Sequence, residues 1–204
     1  MCAAIHDGQR LTLGEYLQTP MTRTRFELAF GVVREPAAPS WNHQQAVGRL
    51  FTRLDRHVRR TAVGQVGLSP LDVILDMGHH LVVQPDIIVV LGDKAAMIQD
   101  RIWGAPDLAV EVLSPTSSRY DAGEKKGWYR DYGVREQWLV NPWTRAIDVV
   151  DLTVPAMDVT HFDTDSILRS KVLPRLRLHV APIFDAVSST APAEASVPDA
   201  AEPG

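Results

Sequence analysis

Residues 81–114 read LVVQPDIIVVLGDKAAMIQDRIWGAPDLAVEVLS, and two aliphatic runs inside this stretch, 81–91 and 107–114, decide the fold. A strand that is aliphatic on both faces belongs inside a layered structure, covered above and below. Each run nevertheless carries an acid among its aliphatic residues, Asp86 in the first and Glu111 in the second. With one strand ending near Leu91 and the next starting near Pro106, Asp86 lies five residues before the connection and Glu111 five after it. Antiparallel pairing therefore sets the two carboxylates almost opposite each other. Like charges so placed destabilise a ladder, and an ionised carboxylate among aliphatic side chains is unfavourable unless something neutralises it. A divalent cation does so, and two carboxylates with room for several waters suit Mg²⁺, or Mn²⁺ in its place.

A second Pro-Asp pair competes for the role of first acid. Only three residues separate Asp107 from Glu111, too few for two strands, whereas 24 separate Asp86 from Glu111. Asp107 shares strand parity with Glu111 but stands about 13 Å from it at about 3.3 Å per residue. Asp86 is therefore the expected partner. Beyond Ser114-Pro115, the residues Thr116, Ser117 and Ser118 offer caps for a helix over 120–132, which Gly133 closes. On its wheel Asp121, Lys125, Trp128, Tyr129 and Tyr132 share one face, while Lys126 and Arg130 point elsewhere. An ammonium on the packed face needs a partner, and a carboxylate pair or a phosphate is a natural one.

Working outward, 26–33 reads as a small hairpin around Gly31. A helix is expected from Asn42, with Asn42 and Gln45 at capping-box spacing. His43, Val47, Leu50, Phe51, Leu54 and Val58 fall on one side of it, and Arg49, Arg53, Arg56 and Arg60 on the other, which reads as a solvated face or, less commonly, a phosphate-contacting surface. Residues 71–76 alternate as a strand and Met77-Gly78 turns. Strands over 136–140 and 146–152 flank the turn Asn141-Pro142-Trp143-Thr144, and short strands near 158–162 and 175–180 precede a helical turn at 182–187. The order helix, three strands, helix, strand implies an α/β sandwich around a mixed sheet.

The length of 204 residues predicts one domain, and 45% apolar with 23% charged residues is the composition of a globular chain that needs no staples. No apolar run approaches the roughly 20 residues of a spanning helix, no secretion signal is evident, and the single cysteine, Cys2, has no intrachain partner. A cytoplasmic protein is expected. The stretch 188–204, SSTAPAEASVPDAAEPG, lacks aromatic residues and is expected to be a disordered tail. The net charge of −4 includes three acids of that tail, so the body is nearly neutral and does not coat nucleic acid through bulk charge.

Several motifs together resemble a known family. Glu27-Leu28-Ala29-Phe30-Gly31, His43, Gln84-Pro85-Asp86, the run from Ala105 to Pro115, Asp121 with Gly123-Glu124-Lys125, Tyr129, and Gly133-Val134-Arg135-Glu136-Gln137-Trp138 look like the Uma-type putative endonucleases. These belong to the PD-(D/E)xK, restriction-endonuclease-like superfamily. The resemblance spans about residues 11–187 and implies an αβββαβ nuclease core, an N-terminal β-hairpin, extra C-terminal strands, and metal on Asp86 and Glu111. The lysine usual two places after the Glu is Leu113 here; the resemblance implies a lysine displaced onto the next helix, the place of Lys125. The hairpin's usual acid is Phe30, and the common Asp-Pro after the Trp strand is Asn141-Pro142.

The expected function is metal-dependent endonuclease action on phosphodiester bonds of nucleic acid, with DNA the expected substrate. Asp86 and Glu111 hold Mg²⁺ and Lys125 stabilises developing negative charge. His43 reads as a satisfied helix-start histidine or a phosphate contact, and Glu27 as an edge-hairpin acid or a residue that approaches the site. A homodimer would let so small a domain span a duplex. The rival readings are a non-catalytic nucleic-acid- or protein-binding module on the same fold, and an enzyme of a smaller phosphate ester.

Overall fold

Pro85 has no N–H to give a ladder, and the aliphatic run 81–91 divides there into two strands that enter different sheets. The computed structural model describes residues 5–19, 25–114 and 123–185. Its chain order is α1 (Leu13–Leu17), β1 (Glu27–Ala29), β2 (Val32–Arg34), α2 (Trp41–Thr61), β3 (Gly64–Leu68), β4 (Val73–Asp76), β5 (Leu81–Val83), β6 (Ile87–Leu91), β7 (Ile102–Trp103), β8 (Leu108–Val112), α3 (Lys125–Tyr132), β9 (Glu136–Asn141), β10 (Ala146–Asp151), β11 (Val159–Phe162), β12 (Ile167–Leu168) and β13 (Leu178–His179).

Six strands form the larger sheet in the order β11-β10-β9-β8-β6-β3. Its pairs are antiparallel except β8 with β9, which run parallel on either side of α3 in the chain. A second sheet has the order β2-β1-β5-β4-β7, and β12 pairs with β13 apart from both. The fold is thus a mixed α/β structure with helices flanking a mixed sheet, and α2-β3-β6-β8-α3-β9 traces the expected helix, three strands, helix, strand.

The inner strands of the larger sheet bury both faces, while the edge strands β3 and β11 are open to solvent. On one side Leu50, Leu54 and Val58 of α2 pack over Ile87, Val89, Leu108, Val110, Trp138 and Val140. On the other, Tyr129 of α3 and the strands β4 and β5 cover Ile88, Val90, Ala109 and Val150. Asp107 ties the end of β6 to the start of β9: its carboxylate accepts from Leu91 N–H at 2.8 Å and faces Lys94 Nζ at 3.2 Å, while its carbonyl accepts from Glu136 N–H. Among the described residues no helix is long and apolar enough to cross a membrane.

Several expectations need correction. Helix α2 begins two residues earlier than the Asn42–Gln45 spacing predicts, because Ser40, extended after Pro39, caps it by accepting from His43 N–H. The expected 71–76 strand shortens to β4 and joins the second sheet; β3, which the sequence reading did not anticipate, takes its place in the core. Two glycines hide β3. A Cβ on Gly64 would stand 2.1 Å from the Val90 carbonyl oxygen, so the close approach of β3 to β6 admits no side chain there. The 175–180 strand contracts to β13, and the last helical turn is a 3-10 turn over Ala181–Ile183. The start expected for α3 near Tyr120, its caps and Asp121 lie outside the described residues, as does the expected tail from Ser188.

Two glycine substitutions separate these effects. Gly48 is in the middle of α2 with nothing within 4 Å of an added Cβ, so Gly48→Ala raises stability by up to about 1 kcal/mol through helix propensity. Gly64→Ala lowers it by about 2 kcal/mol or more through overpacking against the ladder. Urea unfolding of both variants beside the native chain checks the opposite signs.

Candidate active site

The break at Gln84-Pro85-Asp86 places an acid where the two sheets part. The pairing of β6 with β8 sets Ile87 opposite Val110, and one residue further the same register brings Asp86 alongside Glu111. Glu27 enters from β1, which lies between β2 and β5 rather than at an edge. Lys125 opens α3 and Tyr129 follows one turn later, so both face the same spot. Glu27, Asp86, Glu111, Lys125 and Tyr129 are all buried.

The polar contacts form one network. Lys125 Nζ donates to Glu27 Oε1 at 2.8 Å and to Glu111 Oε1 at 3.3 Å. Tyr129 donates its hydroxyl to Glu111 Oε1 at 2.5 Å, and Gln84 N–H donates to Glu27 Oε1 at 2.7 Å. Asp86 Oδ2 accepts from Val112 N–H at 2.8 Å and lies 3.1 Å from His43 Nε2, while Oδ1 accepts from Arg25 Nη1 at 2.9 Å. Burial works to raise the Asp86 pKa, yet the His43 hydrogen bond, the Arg25 charge and the Val112 N–H outweigh it and hold the carboxyl below its usual value. Burial likewise opposes charge on Arg25, and Asp86, then Glu27 and Glu111, more than compensate, so its pKa is raised.

The residues singled out from sequence fall as follows. Asp86, Glu111 and Lys125 are together in the network. Glu27 and His43, left open between structural and site roles, both reach it. Asp107 does not; it ties the end of β6 to the start of β9. Of the arginine stripe, Arg49 donates to the Pro182 carbonyl and Arg53 to the Arg49 carbonyl, while Arg56 and Arg60 are exposed, and none is among the contacts of Asp86, Glu27 or Glu111. Phe30, where the hairpin's acid is expected, is half-exposed and meets Trp128 edge to face at 5.5 Å. Tyr129, set by the helix wheel on the Lys125 face and read from sequence as core, joins the network through Glu111. Arg25 escaped the sequence reading. Arg25 is two residues before Glu27, the spacing that puts neighbours on one side of an extended chain.

A cavity of about 500 Å³ opens over this network. Pro36, Pro39, Ser69 and Pro70 line it together with Asp86 and Glu111. Among the described residues no three His, Cys, Asp or Glu side chains converge as a ready cage for a metal. The donors nevertheless fit a hard cation that needs few protein ligands: carboxylate oxygens dominate, and Glu27 Oε2 is buried without a hydrogen-bond partner among the described residues.

Because Asp86 is held ionised, its contribution to stability is present above the unfolded carboxyl value of about 3.9 and is lost as pH falls through the lower folded value. The stability of the native chain relative to Asp86→Asn therefore falls on acidification from about pH 5 towards pH 2. Urea unfolding of both proteins in chelator across this range measures the change; a difference constant with pH contradicts the ion-paired carboxylate.

The chain has relatives of matching architecture. The family described as Uma2, "Putative restriction endonuclease", matches residues 13–181. A crystal structure of "a putative nuclease belonging to DUF820" from Anabaena variabilis ATCC 29413 superposes with a TM-score of 0.73 at 20% identity, covering 86% of this chain and 98% of that one. This likeness establishes a shared fold. No curated protein sequence matches the chain. With a family match extending over most of its length and through every element that builds the buried network, the chain belongs to the Uma2 family.

Proposed function

We propose that the protein is a metal-dependent endonuclease that hydrolyses phosphodiester bonds of nucleic acid, with DNA as substrate and a homodimer as the form that spans a duplex. The observation that carries this reading is the burial of Glu27, Asp86 and Glu111 in one network, of which Asp86 and Glu111 also line an open cavity. Leaving His43 aside, three carboxylates face two cations, Arg25 and Lys125, so the network is one positive charge short. A divalent cation together with one phosphodiester anion closes that deficit, which neither does alone.

Asp86 and Glu111 are the residues that would hold the metal. When bound there, Mg²⁺ or Mn²⁺ supplies neutralisation of the phosphate and a water of lowered pKa. The chain's own groups do the rest. Val112 N–H and His43 orient Asp86, and Tyr129 orients Glu111. Glu27 fixes Lys125 with its ammonium between two acids, at the place where negative charge grows on the phosphate as water adds and the ester P–O bond breaks. The cavity's size, within the range of small-molecule sites, suits one or two nucleotides of a strand drawn into it.

Nicking of supercoiled plasmid tests the reading. The native chain nicks in Mg²⁺ or Mn²⁺ and stops in chelator, and Asp86→Asn abolishes nicking and weakens Mn²⁺ binding. Lys125→Met lowers the rate by about 10²-fold with little change in metal affinity. Lys126, half-buried on another side of α3, is nearly silent when changed to Met. Equal losses at the two lysines would remove Lys125 from the chemistry. A native chain that binds DNA or RNA and leaves both intact would instead be a binding module on this fold.

A further inference from the structure

In the metal-dependent reading Asp86 is a ligand, yet one of its two oxygens is already covered by a cation of the chain itself. Oδ2 is committed to Val112 N–H and His43. Oδ1 faces Arg25 Nη1 at 2.9 Å, and among the described residues no other donor reaches it. A Mg²⁺–oxygen bond is about 2.1 Å long. A cation that close to Oδ1 and a guanidinium nitrogen on the same atom share lone pairs and repel each other.

Arg25 is also the group built to yield. Its side chain is 24% exposed against 5% for that of Asp86, and it lies along the cavity. Its second link, Nη2 to Glu27 Oε1, is 3.9 Å long, and its Nε is buried without a hydrogen-bond partner among the described residues. The planar fork that gives arginine its strength in bidentate pairs is thus only half used. Lys125 presents the opposite case: it is fully buried and bridges two acids.

We propose that Arg25 is a built-in counter-ion that a divalent metal must displace from Asp86, so that the metal-free site is stably neutralised and metal affinity is set by the competition between the two cations. The proposal rests on the metal-dependent reading of the site. Removal of the guanidinium leaves three carboxylates against Lys125 alone, a deficit that one divalent ion fills.

Calorimetric titration with Mn²⁺ tests this on the native chain, Arg25→Gln and Arg25→Lys, each also in an Asp86→Asn background. Arg25→Gln binds Mn²⁺ about tenfold or more tighter than the native chain, and Arg25→Lys is tighter by a smaller factor because its ammonium keeps the charge but loses the fork. With Asp86→Asn present, neither substitution brings a gain. Should Arg25→Gln fail to fold, the sign of the change at Arg25→Lys decides. Binding by both variants that is no tighter than that of the native chain overturns the competition and leaves the metal-dependent reading standing. Absence of Mn²⁺ binding from all of the proteins overturns both.

Discussion

Three carboxylates, Glu27, Asp86 and Glu111, lie out of water within one network, and their mutual repulsion is the constraint that the surrounding structure answers. Lys125 bridges two of them and Arg25 touches two, so neither cation belongs to a single acid. Tyr129, Gln84 N–H, Val112 N–H and His43 fill further oxygen valences. Such a network is poor evidence for stability, because apolar residues of the same volume usually hold a core as well or better. Its place beside an open cavity points to chemistry.

The fold delivers these groups by one device, the parting of two sheets at Pro85. Before it, β5 pairs with β1 and so sits beside Glu27; after it, β6 pairs with β8 and so sits beside Glu111. Asp86, at the junction, belongs to neither ladder and is free to turn its carboxylate to the Val112 N–H. Helix α3 then closes the network from the larger sheet's second face, which it shares with the hairpin through the Phe30–Trp128 contact. The sites of Asp107 and Glu136 are different in kind. Asp107 accepts from a strand N–H, and Glu136 accepts from Trp138 Nε1, Ser170 Oγ and Lys171 N–H, so each is occupied in holding chain to chain.

The opposition of Asp86 and Glu111 was legible because strand parity and equal spacing from a connection are properties of sequence alone. Lys125 was legible for a similar reason, since helical periodicity separates it from Lys126. Other features depend on distant partners. Gly64 and Gly67 erase the apolar alternation of β3, and only the closeness of Val90 explains the first of them. Glu27 stays open between an edge-hairpin acid and a residue that approaches the site until β5 is seen to cover the other side of its strand. Arg25 shares strand parity with Glu27, but its pairing with Asp86 joins residues 61 positions apart and leaves no mark in the sequence. The resemblance to the Uma-type family covered the fold, but the identity of the cation on Asp86 came only from geometry.

The central claim is that this buried network is a divalent-metal centre. A crystal of the native chain soaked in Mn²⁺, with anomalous scattering recorded near the manganese edge, addresses it most directly. The account predicts an anomalous peak in contact with carboxylate oxygens of Asp86 and Glu111, with the Arg25 guanidinium moved off Asp86. A fully soaked crystal with manganese elsewhere, and with the Arg25–Asp86 pair intact, would contradict it.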